Sequence, residues 1–174
     1  MPPRSLDASL YDGFARYGSG VTLVTVRGDD DRFFIAAPML TVSVDPFTVA
    51  ISVGRHRDAL SAIVAGSTWA ISLLGAHHLP LARRLSEPGT RDERLNALEA
   101  AGADSSPEGP LWLPDALATF WCGTDSTMPV HDQLLVVGNV VRGVVTEGGT
   151  PLLRWNRDFG VLGGLPCPSS AMAS

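Results

Sequence analysis

The run ALATFWCGTDSTMPVHDQLLVVGNVVRGVV, residues 116–145, decides the fold class. It holds two β-rich segments, 116–126 and 134–145, with a short polar stretch around His131 and Asp132 between them. β-branched and aromatic residues crowd both segments, which favours strands over helices. Gly138 and Gly143 interrupt the second segment, and glycine inside a strand marks a bend. Long bent strands joined by turns predict a curved antiparallel sheet rather than a doubly wound parallel one. Upstream, VTLVTV (21–26), FTVAISVG (47–54) and TWAISLL (68–74) read as further strands. GDDD (28–31) reads as a hairpin tip with solvated acids. FFIAAPMLTVSV (33–44) is apolar and extended, with Pro38 in its middle. Proline withholds a ladder donor, so this strand lies at an edge, carries a bulge, or breaks there. PLLRWN (151–156) reads as a last strand.

Four helical patches flank these strands. Leu6, Leu10, Phe14 and Tyr17 recur at helical spacing over 6–17, and Gly18 and Gly20 end the pattern. Residues 55–66 read as a helix closed by Gly66, with Leu60, Ile63 and Val64 inward. Residues 77–85 follow, with Pro80 tolerated in the first turn. A last patch covers 91–101. The inventory is about seven strands and three or four helices. It predicts a mainly β, α+β domain: an antiparallel barrel with flanking helices. One domain spans 1–174, with its core at about 10–162 and a flexible tail over 163–174.

The 174 residues are 45% hydrophobic and 18% charged, which excludes a disordered chain or a coiled coil. The net charge of −5 gives no basic face for a nucleic-acid backbone. All 13 basic residues are arginine, which excludes a lysine Schiff base and a lysine-bearing phosphate loop. No stretch reaches the length of an apolar membrane span, and the N-terminus lacks the core of a signal peptide. Two cysteines, Cys122 and Cys167, make no disulfide framework and no zinc spacing. A reducing cytoplasm is the expected location.

No G-x-G-x-x-G follows a strand, and no G-x-S-x-G is present. Phosphate anchors must therefore come from arginines, backbone amides and hydroxyls. Arg55 and Arg57 flank the start of the helix expected at 55–66, a place suited to an anion. His77 and His78 are neighbours at a strand-to-helix junction. Adjacent side chains on a helix diverge, so no metal site is expected there. His131 and Asp132 sit in a loop ahead of a long strand, where functional groups are often carried.

The order of segments resembles that of the flavin reductase-like family. FARYGSGVTLVTV (14–26), TVSVDPFTVAISV (41–53), IVAGSTWAISLL (63–74) and LARRL (81–85) follow its pattern in sequence. So do GPLWLPDALATFWC (109–122), VHDQLLVVGNV (130–140) and PLLRWNRDFGVL (151–162). The resemblance covers about residues 10–162. It implies an FMN-binding split barrel and a homodimer with flavin sites near the subunit interface. It implies reduction of FMN or FAD by NAD(P)H and delivery of reduced flavin to a partner flavin-dependent monooxygenase; NADH is expected over NADPH, since only Arg55, Arg57 and the Arg83–Arg84 pair are candidates for an extra 2′-phosphate. Hydride passes from nicotinamide C4 to flavin N5, and the protein supplies stacking, orientation and exclusion of water.

Carried over by position, the family's flavin-contact segment falls on residues 35–43. The residues expected to hold cofactor there are Ala36, Ala37, Pro38, Met39, Leu40, Thr41 and Ser43. The family's Asn falls on Ser72, ahead of Leu73 and Leu74, and its Gln falls on His78. A late Arg is kept as Arg157. Arg55 and Arg57 complete the cofactor set. The family's His falls on Gln133, so Gln133, Asp132 and His131 are the expected catalytic group. Ile35, Ala37 and Pro38 replace hydroxyl-bearing residues. That departure motivates an alternative, a repurposed flavin-binding barrel without turnover.

Overall fold

A computed structural model describes residues 8–36 and 39–163. In order, the chain runs through α1 (Ala8–Ala15), β1 (Ser19–Gly20), β2 (Thr22–Arg27), β3 (Asp31–Ala36), β4 (Leu40–Val44) and β5 (Phe47–Gly54). Then come α2 (Ala59–Val64), β6 (Trp69–Leu73), a 3-10 turn (Ala76–His78), α3 (Leu79–Ser86) and α4 (Arg91–Ala100). The last strands are β7 (Asp104–Ser105), β8 (Leu111–Trp112), β9 (Ala118–Val130), β10 (Gln133–Val145), β11 (Leu152–Trp155) and β12 (Asp158–Val161).

The 13-residue strands β9 and β10 form the central hairpin, paired from Val130↔Gln133 to Ala118↔Val145. Around it the main sheet runs β3–β2–β6–β9–β10–β5–β4, with every pairing antiparallel. The sheet curls until β3 lies against β5. Val24, Phe34, Ile51, Ile71, Cys122 and Val136, from six different strands, then share one core. Ala59 and Ile63 of α2 close its end. A second core lies on the opposite face of the sheet. There Leu23 and Leu74 meet Leu81 and Leu85 of α3, Leu98 of α4 and Leu152 of β11. The result is the expected antiparallel split barrel with flanking helices. Among the described residues no helix is long and apolar enough to cross a membrane.

Gly138 breaks the β9–β10 register, as its position predicts. A Cβ there would meet Cζ2 of Trp69 at 2.4 Å, so the backbone can pass the buried indole only as glycine. The second break falls at Val141, between Val140 and Arg142, whereas Gly143 pairs regularly with Phe120.

Several boundaries move. The extended run 33–44 becomes β3 and β4, which occupy opposite edges of the main sheet. Residues 37–38 between them lie outside the described residues, as does the tail from 164. Asp31 leaves the expected hairpin tip to open β3, where its carboxylate takes a 2.8 Å hydrogen bond from Arg27 Nε. The first helix ends at Ala15, two residues before the expected end, and Leu10, Phe14 and Tyr17 are exposed; Leu6 lies outside the described residues. The helix at 55–66 shrinks to Ala59–Val64 because a turn, closed by Arg57 N–H donating to Gly54 O, precedes it. Six residues turn one stripe inward, and Ala59 and Ile63 fill it. Val64 therefore points to solvent, against expectation. Strand β12 is only four residues long, DFGV with a glycine inside, and is established by its pairing with β11.

Candidate functional site

The expected catalytic group sits at one end of the barrel, in the β9–β10 turn. His131 has φ 51°, a left-handed conformation that His tolerates better than a β-branched residue. Asp132 O accepts a 3.0 Å bond from Arg55 N–H, and Gln133 pairs with Gly54. The turn thus brings His131, Asp132, Gln133 and Arg55 together. Gln133 Nε2 donates to Asp132 Oδ2 at 3.0 Å, and Ser52 Oγ donates to Gln133 Oε1 at 3.4 Å. The amide is held from both ends on a rigid strand.

The cofactor segments meet in the main sheet. Ala36 pairs with Thr22, which pairs with Leu73, so β3, β2 and β6 place them in one row. Alternation along β2 puts Thr22 on the face of Val24 and Val26, toward the barrel core. Thr22 Oγ1 is buried and has no hydrogen-bond partner among the described residues. Nothing local in the sequence singles out this hydroxyl; its isolation comes from the strand pairing. Met39 is half-buried against the barrel core. Leu40 and Thr41 are exposed on the edge strand β4, where Ser43 Oγ accepts from Asp45 N–H at 3.3 Å. Ser72 and Leu74 face the helices instead. Ser72 Oγ hydrogen-bonds Thr119 Oγ1 at 3.0 Å in full burial, and Leu74 belongs to the second core. Ala37 and Pro38 lie outside the described residues.

His78 lies apart from both groups. Its cavity is lined by His77, Leu81, Arg84, Ala97 and Asp115, among others, and by no other expected site residue. The rings of His77 and His78 do not diverge. A 3-10 turn brings their centroids to 3.9 Å, and both Nε2 atoms reach Asp115, at 3.1 and 3.0 Å. His78 Nδ1 accepts from Gly75 N–H at 3.1 Å, so in the neutral ring Nε2 carries the proton and donates to Asp115. In that arrangement neither ring nitrogen of His78 has a lone pair free for a metal, although the three groups lie close enough to hold one. Burial holds His78 below the usual histidine range, against the pull of Asp115. Burial acts to raise Asp115, but its hydrogen bond and charge contact with the imidazoles prevail and lower it. Arg157 is also apart: at φ 68° it stacks over Tyr11 at 4.6 Å and pairs with Asp12.

Arg57 directly precedes the cap residue of α2, and its carbonyl accepts from Leu60 N–H at 3.1 Å. Asp58 occupies the cap position ahead of the six-residue α2, and its side chain makes no capping hydrogen bond there. Arg57 also lines a cleft between β3 and the α3–α4 connection, shared with Arg94. One arm of about 330 Å³ also takes in Ile35, Glu87 and Arg154. Sequence reasoning misses Arg94 and Arg154, which stand far apart in the chain and meet only through the fold.

A family model described as flavin reductase like domain matches residues 14–163. An NADH:riboflavin 5'-phosphate oxidoreductase of Streptomyces pristinaespiralis is 30% identical over 154 residues, 87% of this chain and 85% of that protein. An actinorhodin polyketide dimerase of Streptomyces coelicolor is 28% identical over 167 residues, 92% of this chain and 90% of that one. Among solved structures, the flavin reductase component of a bacterial two-component tryptophan halogenase superposes with a TM-score of 0.79. That pair is 22% identical, and the match covers 91% of this chain and 99% of the other.

Proposed function

The chain belongs to the flavin reductase-like family, and from that premise we propose that it is an NADH:flavin oxidoreductase. It reduces FMN or FAD for release to a partner flavin-dependent monooxygenase. The observation that carries this reading is the likeness, over 87% of the chain, to a relative named for NADH-dependent reduction of riboflavin 5'-phosphate. A homodimer in the cytoplasm, beside the NADH pool, is part of the same reading.

Bound together, the two cofactors supply the redox chemistry, a hydride passing from nicotinamide C4 to flavin N5. The chain's residues bind and orient. Residues 36–43 and the Ala36–Thr22–Leu73 row hold the flavin. The partnerless Thr22 hydroxyl fits a ligand with polar ring edges, because a buried hydroxyl without a bond is costly to keep otherwise. Gln133, fixed by Asp132 and Ser52, offers an oriented amide to a carboxamide or ring carbonyl. Its neighbours Asp132 and His131 shape the turn that presents it.

The test is loss of NADH absorbance with purified protein and excess free FMN or FAD, then with NADPH. NADH oxidation that depends on added flavin is expected. No oxidation above the uncatalysed rate overturns the reading. One observation favours a second reading, a flavin-binding barrel put to another use: the similar Streptomyces coelicolor protein is named for polyketide dimerisation. Tight flavin binding without NADH oxidation selects it.

A further inference from the structure

We propose that His56 is a second polar arm beside Gln133: its imidazolium stabilises the negative charge that hydride transfer places on the flavin ring. The assignment deepens the reductase reading above and rests on it. The His56 imidazole folds back over Gly54, the last residue of β5. A Cβ at Gly54 would meet His56 Cε1 at 2.6 Å and Nδ1 at 2.9 Å, so the ring occupies the place of a side chain at position 54. Gly54 pairs with Gln133 across β5 and β10. Paired residues of an antiparallel sheet project to the same face, with Cβ atoms about 4.5–5.5 Å apart. His56 is therefore carried by the turn after β5, yet its ring stands across from the Gln133 side chain. Ser52, two residues back on β5, projects to that face as well, and its 3.4 Å hydrogen bond to Gln133 Oε1 shows that the amide lies there. The bonds that hold Gln133 go to Asp132 and Ser52 and none goes to His56, which leaves the imidazole to face a ligand.

The reaction calls for a cation at this place. A hydride carries two electrons from nicotinamide C4 to flavin N5. The nicotinamide is left a cation, the flavin ring gains one negative charge, and no proton has to move. Gln133 offers a dipole without a charge, and the Asp132 carboxylate that holds it works against an anion. The other charged and titratable groups of the adjoining segments are Arg55, Arg57 and Asp58 around His56, and His131 across the strand pairing. The three heavy atoms nearest the place of a side chain at Gly54 all belong to the His56 ring, so of these groups it is the imidazole that stands with the Gln133 amide. His56 is exposed in the free chain, where water solvates its charge until a ligand arrives. An imidazolium donating to a developing anion makes a charge-assisted bond, stronger than the bond from a neutral amide.

Anaerobic calorimetry at about pH 7, where an imidazole beside an anion keeps its proton, measures oxidised FMN and dithionite-reduced FMN separately. His56→Gln is expected to weaken reduced FMN roughly tenfold and oxidised FMN by less than about threefold. His56→Arg keeps a cation at the same place and restores the preference for reduced flavin. Gly54→Ala puts a methyl group where the ring lies, and the ring, held in an exposed turn, swings away. That variant should reproduce the loss seen in His56→Gln, and the two substitutions together should lose no more than either alone. Unfolding midpoints matched to the parent establish that the variants are folded. Equal weakening of both flavin forms in His56→Gln assigns the ring to packing and overturns the proposal. So does an unchanged preference for reduced flavin in His56→Gln or in folded Gly54→Ala, or a His56→Arg variant that restores nothing. Each of these results leaves the reductase reading standing if flavin-dependent NADH oxidation persists in the parent. A parent that binds no flavin and oxidises no NADH removes that reading and the role of His56 with it.

Discussion

At the residue scale, His78 shows how burial turns one side chain into a pH-dependent support. Gly75 N–H fixes its tautomer and Asp115 accepts the hydrogen bond from Nε2–H, so the folded chain favours the neutral ring. Its pKa is lowered below 6.5, chiefly by burial. The unfolded chain therefore binds a proton at His78 more readily than the folded one, and stability falls as pH drops below about 6.5. Asp115 acts in the same direction at lower pH, because its own pKa is lowered from 3.8 and folding favours the carboxylate. His78→Gln removes the histidine titration while an amide can still accept from Gly75 and donate to Asp115. Urea midpoints at about pH 7.5 and 5.5 should separate for the parent and draw together for the variant. An unchanged slope in the variant would assign the acid sensitivity elsewhere. The sequence shows the two adjacent histidines but not Asp115, which stands 37 residues beyond His78 and meets it only through the fold.

At the element scale, the long hairpin makes the barrel legible. Length and the crowding of β-branched and aromatic residues mark β9 and β10, and Gly138 marks the bulge where the sheet bends around Trp69. That indole donates to Thr124 Oγ1 at 3.0 Å, and Thr124 in turn donates to Ile63 O at 2.9 Å, so it has little room to yield. Gly138→Ala should destabilise by roughly 1–3 kcal/mol, the usual cost of overpacking a well-filled core. Denaturant unfolding reads this directly. Gly143→Ala is expected to cost less, since a Cβ there meets Phe120 at 3.2 Å in a regular pairing. Equal losses at the two glycines would mean that strand bending, rather than the indole, sets the requirement. The run 33–44 shows where local reading ends. Pro38 marks a break, but the pairing partners on either side are chosen by residues far along the chain. The two halves consequently reach opposite edges of the sheet, β3 beside β2 and β4 beside β5. Arg94 and Arg154 are illegible for the same reason: neither stands in a motif, and the cleft exists only after α4 and β11 have packed.

At the scale of the whole molecule, the edge strand β4 is the least self-sufficient part of the fold. It contributes no buried residue, and Leu40, Val42 and Val44 stand 61%, 51% and 76% exposed, with Phe47 just beyond at 65%. An exposed apolar edge invites pairing with another chain, and a soluble monomer normally blunts it with charge or proline. Here residues 40–44 carry no charge at all. A second copy of the chain is the partner that the family reading supplies, with flavin sites near the shared surface. Light scattering at micromolar concentration should therefore give twice the 18.4 kDa of the chain. Phe47→Arg, which places a strongly hydrated cation on that surface, should shift the mass toward a single chain. The same variant should lose flavin affinity in step with the dimer, because residues 40–43 of the proposed flavin segment lie on the strand beside it. A parent that scatters as a monomer refutes the dimer outright. A monomeric Phe47→Arg variant with flavin affinity intact separates the two ideas: the edge is an interface, and each subunit holds its flavin alone.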